Sequence, residues 1–429
     1  MTEKLYDKDA YGQEFEAQIV SCNELSLKDG TKAFEVILDR TLFFPEEGGQ
    51  TPDKGVIKVV DEKGMTIDFR VIDVQIKDDI IYHTIVYAAC DNTESNNTEN
   101  DNNENSQIDE KIAFNPCDLL ATGKNVIGQI DWTHRYNNMQ QHSGEHIFSG
   151  LVHTTFGYDN VGFHLSDSVV TMDFNGPLSA MDIRNIETRV NKAIYENIEI
   201  IPSFPSKEEL ENIEYRSKKE IDGQVRLITI PGYDICACCA PHVKRTGEIG
   251  ILKVVSAQNY KGGVRVSILC GYRALELFRY DHALVSDIAG DFSTSSDNIK
   301  SSIEKLKDEL AEVRQELFAA RQSLMEIELS KIPADKKNVA FFVPEMDQNQ
   351  MRNMVNSLTL KHEGYCGVFA GSSEKGYRYI LGIKNGDARA CLEALKGICA
   401  AKGGGSPQMV QGSLSGADEE SIKKVIEKL

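Results

Sequence analysis

Two pairs of residues in this chain have the types and the spacing of metal ligands. His142 and His146 lie four apart in HSGEH, so on a helix their imidazoles would project from one face about one turn apart. Further along the chain, Cys238 and His242 form a Cys-x-x-x-His pair. Thiolate and imidazole together favour zinc over magnesium or calcium. The two pairs therefore predict a single tetrahedral site for Zn²⁺ that combines all four side chains.

Two questions about this site stay open at the level of the residues. Four protein ligands are typical of a closed structural zinc, so a purely structural site is an alternative to a catalytic one. Cys236 and Cys239 flank Cys238 and offer other thiolates. The metalloprotease mechanism is excluded, because it places a glutamate directly after the first histidine, where this chain has Ser143.

The composition is that of a soluble globular protein with two to four domains. The chain has 429 residues, of which 41% are hydrophobic and 26% are charged. Ten cysteines are too few for a disulfide scaffold, and the N-terminal segment lacks the apolar region of a secretory signal. No stretch approaches the ~20 consecutive apolar residues of a membrane span. We therefore predict a cytoplasmic protein that does not bind a membrane.

The charge balance limits how the protein could bind nucleic acid. The formal net charge is −19, whereas a broad phosphate-binding face needs an excess of Lys and Arg. Five of the acidic residues fall in the segment 91–107, and the remainder of the chain is still acidic. Any contact with RNA must therefore be local and specific.

The N-terminal residues are predicted to form a small antiparallel β-barrel or sandwich. Runs such as AFEVILDRTLFF, TIDFRVIDVQI and IIYHTIVYA are rich in β-branched and aromatic residues and are separated by turn signals. An Asn-rich segment near 91–110 interrupts the pattern, which resumes at VIGQIDW. We therefore predict a barrel-like domain over residues 1–128 with a disordered insertion.

The four predicted metal ligands fall in a second region, residues 129–280. HRYNNMQQHSGEHIFSGLVHTTF is predicted to be a helix that carries the histidine pair. A second helix, AMDIRNIETRVNKAIYENI, is followed by the β-like runs VRLITI, IGILKVVSAQ and VRVSILC. This pattern predicts an α+β domain. The apolar stripe of the first helix consists of Met139, Ile147, Phe148 and Leu151.

Residues 281–333 carry the most regular pattern in the chain. Apolar residues recur at alternating spacings of three and four, which favours a coiled coil or a helical hairpin. The alternative is an amphipathic helix that packs on its own domain. Pro333 is predicted to end the helix. The apolar positions are Ile299, Ile303, Leu306, Leu310, Val313, Leu317, Ala320, Leu324 and Ile327.

The last region, residues 334–429, alternates predicted strands and helices. This pattern predicts a compact α/β domain with a loop at KGGGSPQ. The fold class that we predict for the whole chain is therefore α+β. In chain order it comprises the barrel-like domain, the zinc-containing domain, the heptad helix and the C-terminal α/β domain.

Four segments of the chain resemble one family of editing domains. FFPEEGGQ at 43–50, followed by Asp53-Lys54-Gly55, resembles the FYPEGGGQ…DxG motif of alanyl-tRNA editing domains. QQHSGEHIFSG and CCAPHVKRTGEIG resemble their two zinc pairs, and Cys238 keeps the family spacing to His242. YKGGVRVSILCGYRAL resembles the segment that closes the domain. The heptad helix and the GGGSPQMVQG segment resemble the C-terminal region of alanyl-tRNA synthetases.

The resemblance implies an activity and its partners. No segment that resembles a class II aminoacylation domain precedes the barrel, which matches the long form of the freestanding alanyl-tRNA editing protein. A protein of that kind is expected to deacylate mischarged tRNA(Ala) in trans with zinc as its cofactor. The expected substrates are chiefly Ser-tRNA(Ala) and, as a second substrate, Gly-tRNA(Ala). A homodimer through the heptad helix or the C-terminal domain is a further expectation.

The resemblance also implies roles for four residues outside the zinc set. Gly48 and Gly49 would let the backbone approach the CCA end of tRNA, and Gln50 would hydrogen-bond the substrate or a water. Thr41 resembles the residue that reads the serine hydroxyl. Two other functions stay open. The chain could be a non-catalytic tRNA-binding or scaffold protein with a structural zinc, or a zinc hydrolase that acts on another ester.

Overall fold

A computed structural model of the chain describes residues 1–61, 63–88, 116–217 and 223–429. The predicted Asn-rich insertion near 91–110 lies outside the described residues. The chain divides into two compact units, Met1–Asp291 and Phe292–Leu429, which we describe separately. The boundaries predicted at 128, 280 and 333 stay predictions. Among the described residues, no helix has the length and apolar character needed to cross a membrane.

The first unit begins with the predicted barrel, which the structure confirms as a closed barrel of strand order β2-β3-β7-β6-β5-β8. Inward residues such as Ile67, Phe69 and Val71 are buried and alternate with more exposed ones, as a half-buried strand requires. The strand that follows the Asn-rich segment pairs with both β2 and β5 and so closes the barrel. The elements are β1 (Glu3–Lys4), β2 (Glu14–Ser26), β3 (Lys32–Leu38), β4 (Arg40–Thr41), β5 (Gly55–Val60), β6 (Thr66–Lys77), β7 (Ile80–Tyr87), α1 (Pro116–Leu119) and β8 (Asn125–Ile130).

The rest of the first unit is the predicted α+β region. A four-stranded antiparallel sheet of order β14-β15-β10-β9 and a three-stranded sheet of order β11-β12-β13 share a core with two long helices. The elements are α2 (Trp132–Phe156), β9 (Asn160–Leu165), β10 (Val170–Phe174), α3 (Ala180–Glu196), β11 (Ile201–Ser203), α4 (Lys207–Leu210), β12 (Leu227–Ile230), β13 (Asp234–Ala237), β14 (Leu252–Tyr260), β15 (Gly263–Cys270) and α5 (Gly271–Asp291).

Helix α2 carries the histidine pair through the middle of this core. The Asp131 side chain caps its N-terminus by accepting from the His134 N–H, and Gly157 ends it in a left-handed conformation. The predicted apolar stripe is buried, but the polar residues between 138 and 152 are buried as well. Gly144 permits this packing, because a Cβ there would lie 2.4 Å from the Cys270 Sγ. The helix is therefore enclosed on all sides at the level of the histidines.

The second unit contains a five-stranded sheet of order β16-β17-β18-β20-β19, in which only β16 and β17 run parallel. Separate apolar clusters cover its two faces. One includes residues of α8 and α9, and the other includes residues of α7. The elements are α6 (Ile299–Ser330), β16 (Val339–Val343), α7 (Gln348–Lys361), β17 (Cys366–Ser372), β18 (Gly376–Gly382), α8 (Ala388–Lys396), β19 (Ala400–Gly405), β20 (Met409–Ser415) and α9 (Glu419–Glu427).

The glycine-rich segment of this unit is not the loop expected from the sequence. Its glycines belong to the edge strand β19, and Gly403 pairs with Gly412 of β20. A Cβ at Gly403 would lie 2.4 Å from the Gln411 carbonyl oxygen, and one at Gly412 would lie 1.9 Å from that of Lys402. The two strands thus approach more closely than side chains would allow, which overrides the low strand propensity of glycine.

The heptad segment forms one helix, α6, which ends at Ser330 shortly before Pro333. Met325 and Leu329 near its C-terminal end pack against a core cluster of the second unit. Earlier apolar positions are exposed, with 52% of Leu306 and 59% of Val313 accessible. The structure therefore supports a helix here, while its pairing as a coiled coil stays a prediction.

Candidate metal centre

The structure brings the four predicted ligands together in one place. Nitrogen or sulfur atoms of His142, His146, Cys238 and His242 all lie within 4.8 Å of one another. The Cys238 Sγ is 3.5 Å from the His142 Nε2 and 3.4 Å from the His242 Nε2. Zinc bonds of about 2.3 Å to sulfur and 2.0–2.1 Å to nitrogen would give a tetrahedral edge of about 3.6 Å. These side chains fit a single zinc ion with little movement.

Each imidazole is held by a different protein group at its other ring nitrogen. The Nδ1 of His142 lies 2.7 Å from the Gln50 Oε1, and that of His146 lies 3.0 Å from the Asp234 Oδ2. The Nδ1 of His242 lies 3.0 Å from the Ser143 Oγ. An amide oxygen and a carboxylate only accept, so the first two rings donate from Nδ1. This tautomer leaves Nε2 free to bind a metal, which is the usual arrangement around zinc.

Of the three neighbouring cysteines, Cys238 has the thiol best suited to bind a metal. Burial opposes its ionisation, but the interactions of the thiolate with the surrounding imidazoles of His142, His242 and His146 together outweigh burial and hold the pKa of Cys238 well below its usual value. Burial raises the pKa of the Cys236 thiol instead. Burial and the charge of Cys238 raise the pKa of Cys239. The local electrostatics therefore favour Cys238 as the thiolate.

The histidines differ in their electrostatic surroundings. Burial lowers the pKa of His242 to about 3, so its ring is neutral near pH 7. Burial also disfavours the charged form of His146, but the hydrogen bond to Asp234, the contact with Cys238 and the charge of Glu145 together outweigh it and raise the pKa of His146 to about 9. A metal at the Nε2 of His146 would replace one of its ring protons.

The segment between Cys238 and His242 is fixed from one side by a buried arginine. The Arg226 Nη1 donates to the Cys238 carbonyl at 3.0 Å and to the Ala240 carbonyl at 2.8 Å. The Cys238 N–H in turn donates to the Arg226 carbonyl at 3.0 Å. These three bonds hold the short loop so that Cys238 and His242, its two predicted ligands, face helix α2.

The predicted glycine turn lies beside the histidine cluster. Gly48 and Gly49 have φ of 63° and 86°, which favours glycine at both positions. Gly49 lies against strand β9, where a Cβ would come 2.4 Å from the Phe163 carbonyl oxygen. The Phe163 ring centroid is 4.8 Å from that of His142. Strand β9 and the glycine turn therefore flank the same predicted ligand, His142.

Gln50 joins the turn directly to the cluster. Its side chain is fully buried, and its Oε1 accepts the hydrogen bond from His142 described above. Its Nε2 has no hydrogen-bond partner within the described parts of the chain. The turn is anchored a second time by Asp53 and Arg135, a fully buried ion pair between the end of the motif and helix α2. The two anchors fix the position of the turn relative to the histidines.

Thr41 is buried, and its hydroxyl already makes two hydrogen bonds within the protein. Its Oγ1 accepts from the Phe43 N–H at 3.0 Å and lies 3.0 Å from the His83 Nε2. The His83 Nδ1 lies 3.0 Å from the Val36 carbonyl oxygen, so it donates there and Nε2 accepts from Thr41. Neither hydrogen-bond partner of Thr41 is a residue of the metal cluster. Its predicted role as a hydroxyl reader stays a prediction.

Three residues around the cluster were missed at the sequence level. Asp234 and Ser143 hold His146 and His242, and Arg216 pairs with Asp234 through contacts of 2.7 and 2.8 Å. Asp234 precedes Cys238 by four residues, the same spacing as in the two predicted ligand pairs, and this is the one signal in the sequence that could have singled it out. Ser143 directly follows His142, and Arg216 belongs to none of the recognised motifs, so no spacing distinguishes these two positions.

Comparison with known proteins identifies related sequences for two parts of the first unit. Residues 225–267 match the family model described as the threonyl and alanyl tRNA synthetase second additional domain. Residues 3–109 match the model of class II (A) tRNA synthetases. The first match contains Cys238 and His242, and the second contains the glycine turn.

Individual relatives extend the similarity. An alanine–tRNA ligase of Ignicoccus hospitalis is 30% identical over 70% of this chain and 30% of its own length. The alanyl-tRNA editing protein AlaX-L of Pyrococcus horikoshii is 28% identical over 64% of this chain and 59% of its own. The alanyl-tRNA editing protein Aarsd1 of Mus musculus is 25% identical over 65% of this chain and 61% of its own.

The matches span less than two thirds of the length of each of these relatives. They nevertheless agree with the resemblance predicted from the motifs, since the family models match the segments that hold the glycine turn and the pair Cys238 and His242. The chain is therefore a relative of the alanyl-tRNA editing proteins, and the resemblance expected from its sequence is confirmed.

Proposed function

We propose that this chain is a zinc-dependent aminoacyl-tRNA hydrolase that removes wrong amino acids from tRNA(Ala). Its main substrate is Ser-tRNA(Ala), and Gly-tRNA(Ala) is a second substrate. The observation that carries the proposal is the convergence of three imidazoles and one thiolate beside the glycine turn, joined to it by the bond between Gln50 and His142. The names of the editing relatives supply the substrate class.

The reaction is hydrolysis of the ester between an amino acid and the terminal ribose of tRNA. A bound zinc ion would supply a Lewis acid that polarises a carbonyl, lowers the pKa of a water or orients the substrate. The chain's own residues prepare the site for this. Gly48 and Gly49 let the backbone come close to the CCA end, and the buried Nε2 of Gln50 is a donor that a substrate oxygen or a water could satisfy.

Selection of serine over alanine requires a group that hydrogen-bonds the serine hydroxyl. We assign this role to Thr41, whose oxygen accepts from Phe43 and donates to His83 and so keeps one lone pair. A site that hydrogen-bonds a substrate hydroxyl can discriminate by about 10⁴-fold, whereas an apolar pocket cannot. Discrimination would then depend on a residue outside the metal cluster.

The remaining expectations belong to the same proposal. The protein would act as the long form of a freestanding editing protein in the cytoplasm, with charged tRNA(Ala) as its partner. It would divide into the barrel-like, zinc-binding, helical and C-terminal domains predicted from the sequence. Self-association through α6 or the C-terminal domain would make it a homodimer.

A second candidate function is a non-catalytic tRNA-binding protein with a structural zinc. The observation that favours it is the set of four protein ligands, which is typical of a closed site. The two functions differ in whether the protein hydrolyses the aminoacyl ester of the tRNA that it binds. A scaffold would bind tRNA(Ala) and leave the ester bond intact.

A deacylation panel tests the proposal. Zinc-loaded protein should release serine from Ser-tRNA(Ala) and glycine from Gly-tRNA(Ala), and should leave Ala-tRNA(Ala) largely intact. His142→Ala should lose this activity, and uncharged tRNA(Ala) should compete. Binding of tRNA(Ala) without release of any amino acid would establish the scaffold instead. Release that uncharged tRNA does not inhibit would indicate a hydrolase for another ester.

A further inference from the structure

We propose that Asp234 and Arg216 form a clamp that orients the metal ligand His146, and that both are positioning residues of the zinc site. This inference rests on the proposed metal site. The observation behind it is a chain of contacts from three separate segments. His146 lies on helix α2, Asp234 begins strand β13, and Arg216 lies in the connection between α4 and β12.

Both carboxylate oxygens of Asp234 are engaged in hydrogen bonds with Arg216 or His146. The Arg216 Nε donates to Oδ1 at 2.7 Å and its Nη2 donates to Oδ2 at 2.8 Å. The same Oδ2 lies 3.0 Å from the His146 Nδ1. Such a two-point contact fixes the plane of the carboxylate, because rotating it would break at least one of the bonds. The acceptor for His146 is therefore held in one place.

Burial makes this arrangement different from a surface ion pair. The side chain of Asp234 is 2% exposed, and that of Arg216 is 13% exposed. A carboxylate in such a position is costly unless it is paired. The backbone supports the pair, since the Arg216 N–H donates to the Ile235 carbonyl at 2.8 Å and the Ala237 N–H donates to the Arg216 carbonyl at 2.9 Å. The guanidinium is thus attached to the strand that carries Asp234.

The clamp gives His146 a support that the other two imidazoles lack. His142 and His242 are held by an amide and a hydroxyl, which are neutral groups. A charge-assisted hydrogen bond is roughly twice as strong as a neutral one. Groups that hold a metal-binding histidine in this way typically contribute about 10- to 100-fold to metal affinity. His146 should therefore be the ligand whose orientation is most firmly fixed.

The test measures zinc affinity of the full chain by competition with a chromogenic chelator. We expect Asp234→Ala to weaken zinc binding by about 10- to 100-fold. The matched control is Asp173→Ala, because Asp173 makes the same two-point contact with Arg265, at 2.5 and 2.7 Å, between strands β10 and β15. That variant should bind zinc like the wild type. Equal affinities of the two variants would overturn the clamp.

Conservative variants distinguish an effect on the orientation of His146 from an effect on folding of the chain. Asp234→Asn keeps an oxygen for His146 but loses the ion pair with Arg216, and Arg216→Lys keeps the charge but loses the two-point contact. Each should bind zinc more weakly than the wild type but more tightly than Asp234→Ala. If Asp234→Ala does not fold, these two variants decide the question. Wild-type affinity in both would contradict the role of Arg216.

A double-mutant cycle identifies the route by which the clamp acts. In a His146→Ala background, Asp234→Ala should cause no further loss of zinc affinity, since its effect passes through His146. Persistence of the full loss would show a general structural role and overturn the inference. Failure of the wild-type protein to bind zinc would be a different result, because it would remove the proposed function along with the clamp.

Discussion

Three ring nitrogens determine how the histidines of this site face each other. Each Nδ1 is occupied by a group from a different source: Gln50 from the glycine turn, Ser143 from helix α2 and Asp234 from strand β13. The cluster is therefore preorganised by protein contacts rather than by the ion alone. At the scale of single residues, two predictions concern groups outside the predicted ligand set.

The first prediction concerns the selectivity of Thr41. Thr41→Val removes the hydroxyl and keeps the shape, so we expect the ratio of kcat/KM for Ser-tRNA(Ala) over Ala-tRNA(Ala) to fall by about 10-fold or more. Thr246→Val is the matched control, because Thr246 is also fully buried and also accepts and donates a hydrogen bond, at 2.8 and 2.7 Å. An unchanged ratio in Thr41→Val would remove Thr41 from this role.

The second prediction concerns the pH dependence of stability. Burial lowers the pKa of His83 from 6.5 to about 4. The unfolded chain then binds a proton at this residue between pH 6.5 and 4 that the folded chain does not bind. The contribution of His83 to the free energy of unfolding should be constant above pH 6.5 and fall by about 3 kcal/mol as the pH drops to 4.

Urea denaturation at several pH values checks this. His83→Gln should lose less stability than the wild type between pH 6.5 and 4. A pH dependence in His83→Gln equal to that of the wild type would show that His83 is not responsible.

Two elements define the walls of the site. Helix α2 presents two predicted ligands about one turn apart, and the glycine turn lies against strand β9. The Leu165 N–H donates to the Gly49 carbonyl at 2.7 Å, and the Thr51 N–H donates to the Leu165 carbonyl at 3.2 Å. The turn thus behaves as a short extension of the sheet and has little freedom to move away from the histidines.

A glycine comparison tests the close fit of the turn. Gly49→Ala and Gly64→Ala both place alanine at positive φ, which costs about 1–2 kcal/mol. Only the alanine at 49 would meet a backbone oxygen, whereas a Cβ at Gly64 would have open space. We expect Gly49→Ala to lower the free energy of unfolding by about 1–3 kcal/mol more than Gly64→Ala in urea titrations. Equal losses would mean that the turn is not packed against strand β9.

The sequence predicts most of the elements and the ligand cluster for a clear physical reason. The β-branched runs and the helical spacing of His142 and His146 are local patterns, and local patterns determine strands, helices and which side chains share a face. Cys238 and His242 had to be joined to them through ligand chemistry and through the resemblance. The closed barrel and the mixed α+β fold agree with those predictions.

What the sequence could not predict depends on contacts between distant segments. Asp234 looks like an ordinary residue at a strand start, and Arg216 like a surface base, until folding buries them together. The glycines of β19 have low strand propensity and form a strand only because β20 lies beside them. In these places tertiary packing overrides the local signal.

At the scale of the whole molecule, helix α6 leaves a row of large apolar side chains exposed within the described parts of the chain. Leu310 is 47% exposed and Leu317 is 50% exposed, on the seam of the predicted heptads. A helix of this kind gains stability when its seam packs against another helix. We propose that the seam joins two copies of the chain.

Sedimentation of the intact protein tests this proposal. The wild type should sediment as a dimer, and a variant with Leu310→Gln and Leu317→Gln should shift towards the monomer because it loses apolar burial. Asp308→Gln with Glu312→Gln places the same side chains on the face opposite the seam and should leave the dimer intact. A monomeric wild type would exclude the seam as a dimer interface.

The central claim is that the thiolate of Cys238 and three histidines bind the zinc ion on which hydrolysis depends. The most direct measurement determines zinc content and serine release from Ser-tRNA(Ala) on the same preparations of wild type, Cys238→Ala and Cys239→Ala. We predict about one zinc per chain and serine release for the wild type, loss of both in Cys238→Ala, and retained zinc in Cys239→Ala. Full zinc content and full serine release in Cys238→Ala would contradict the claim.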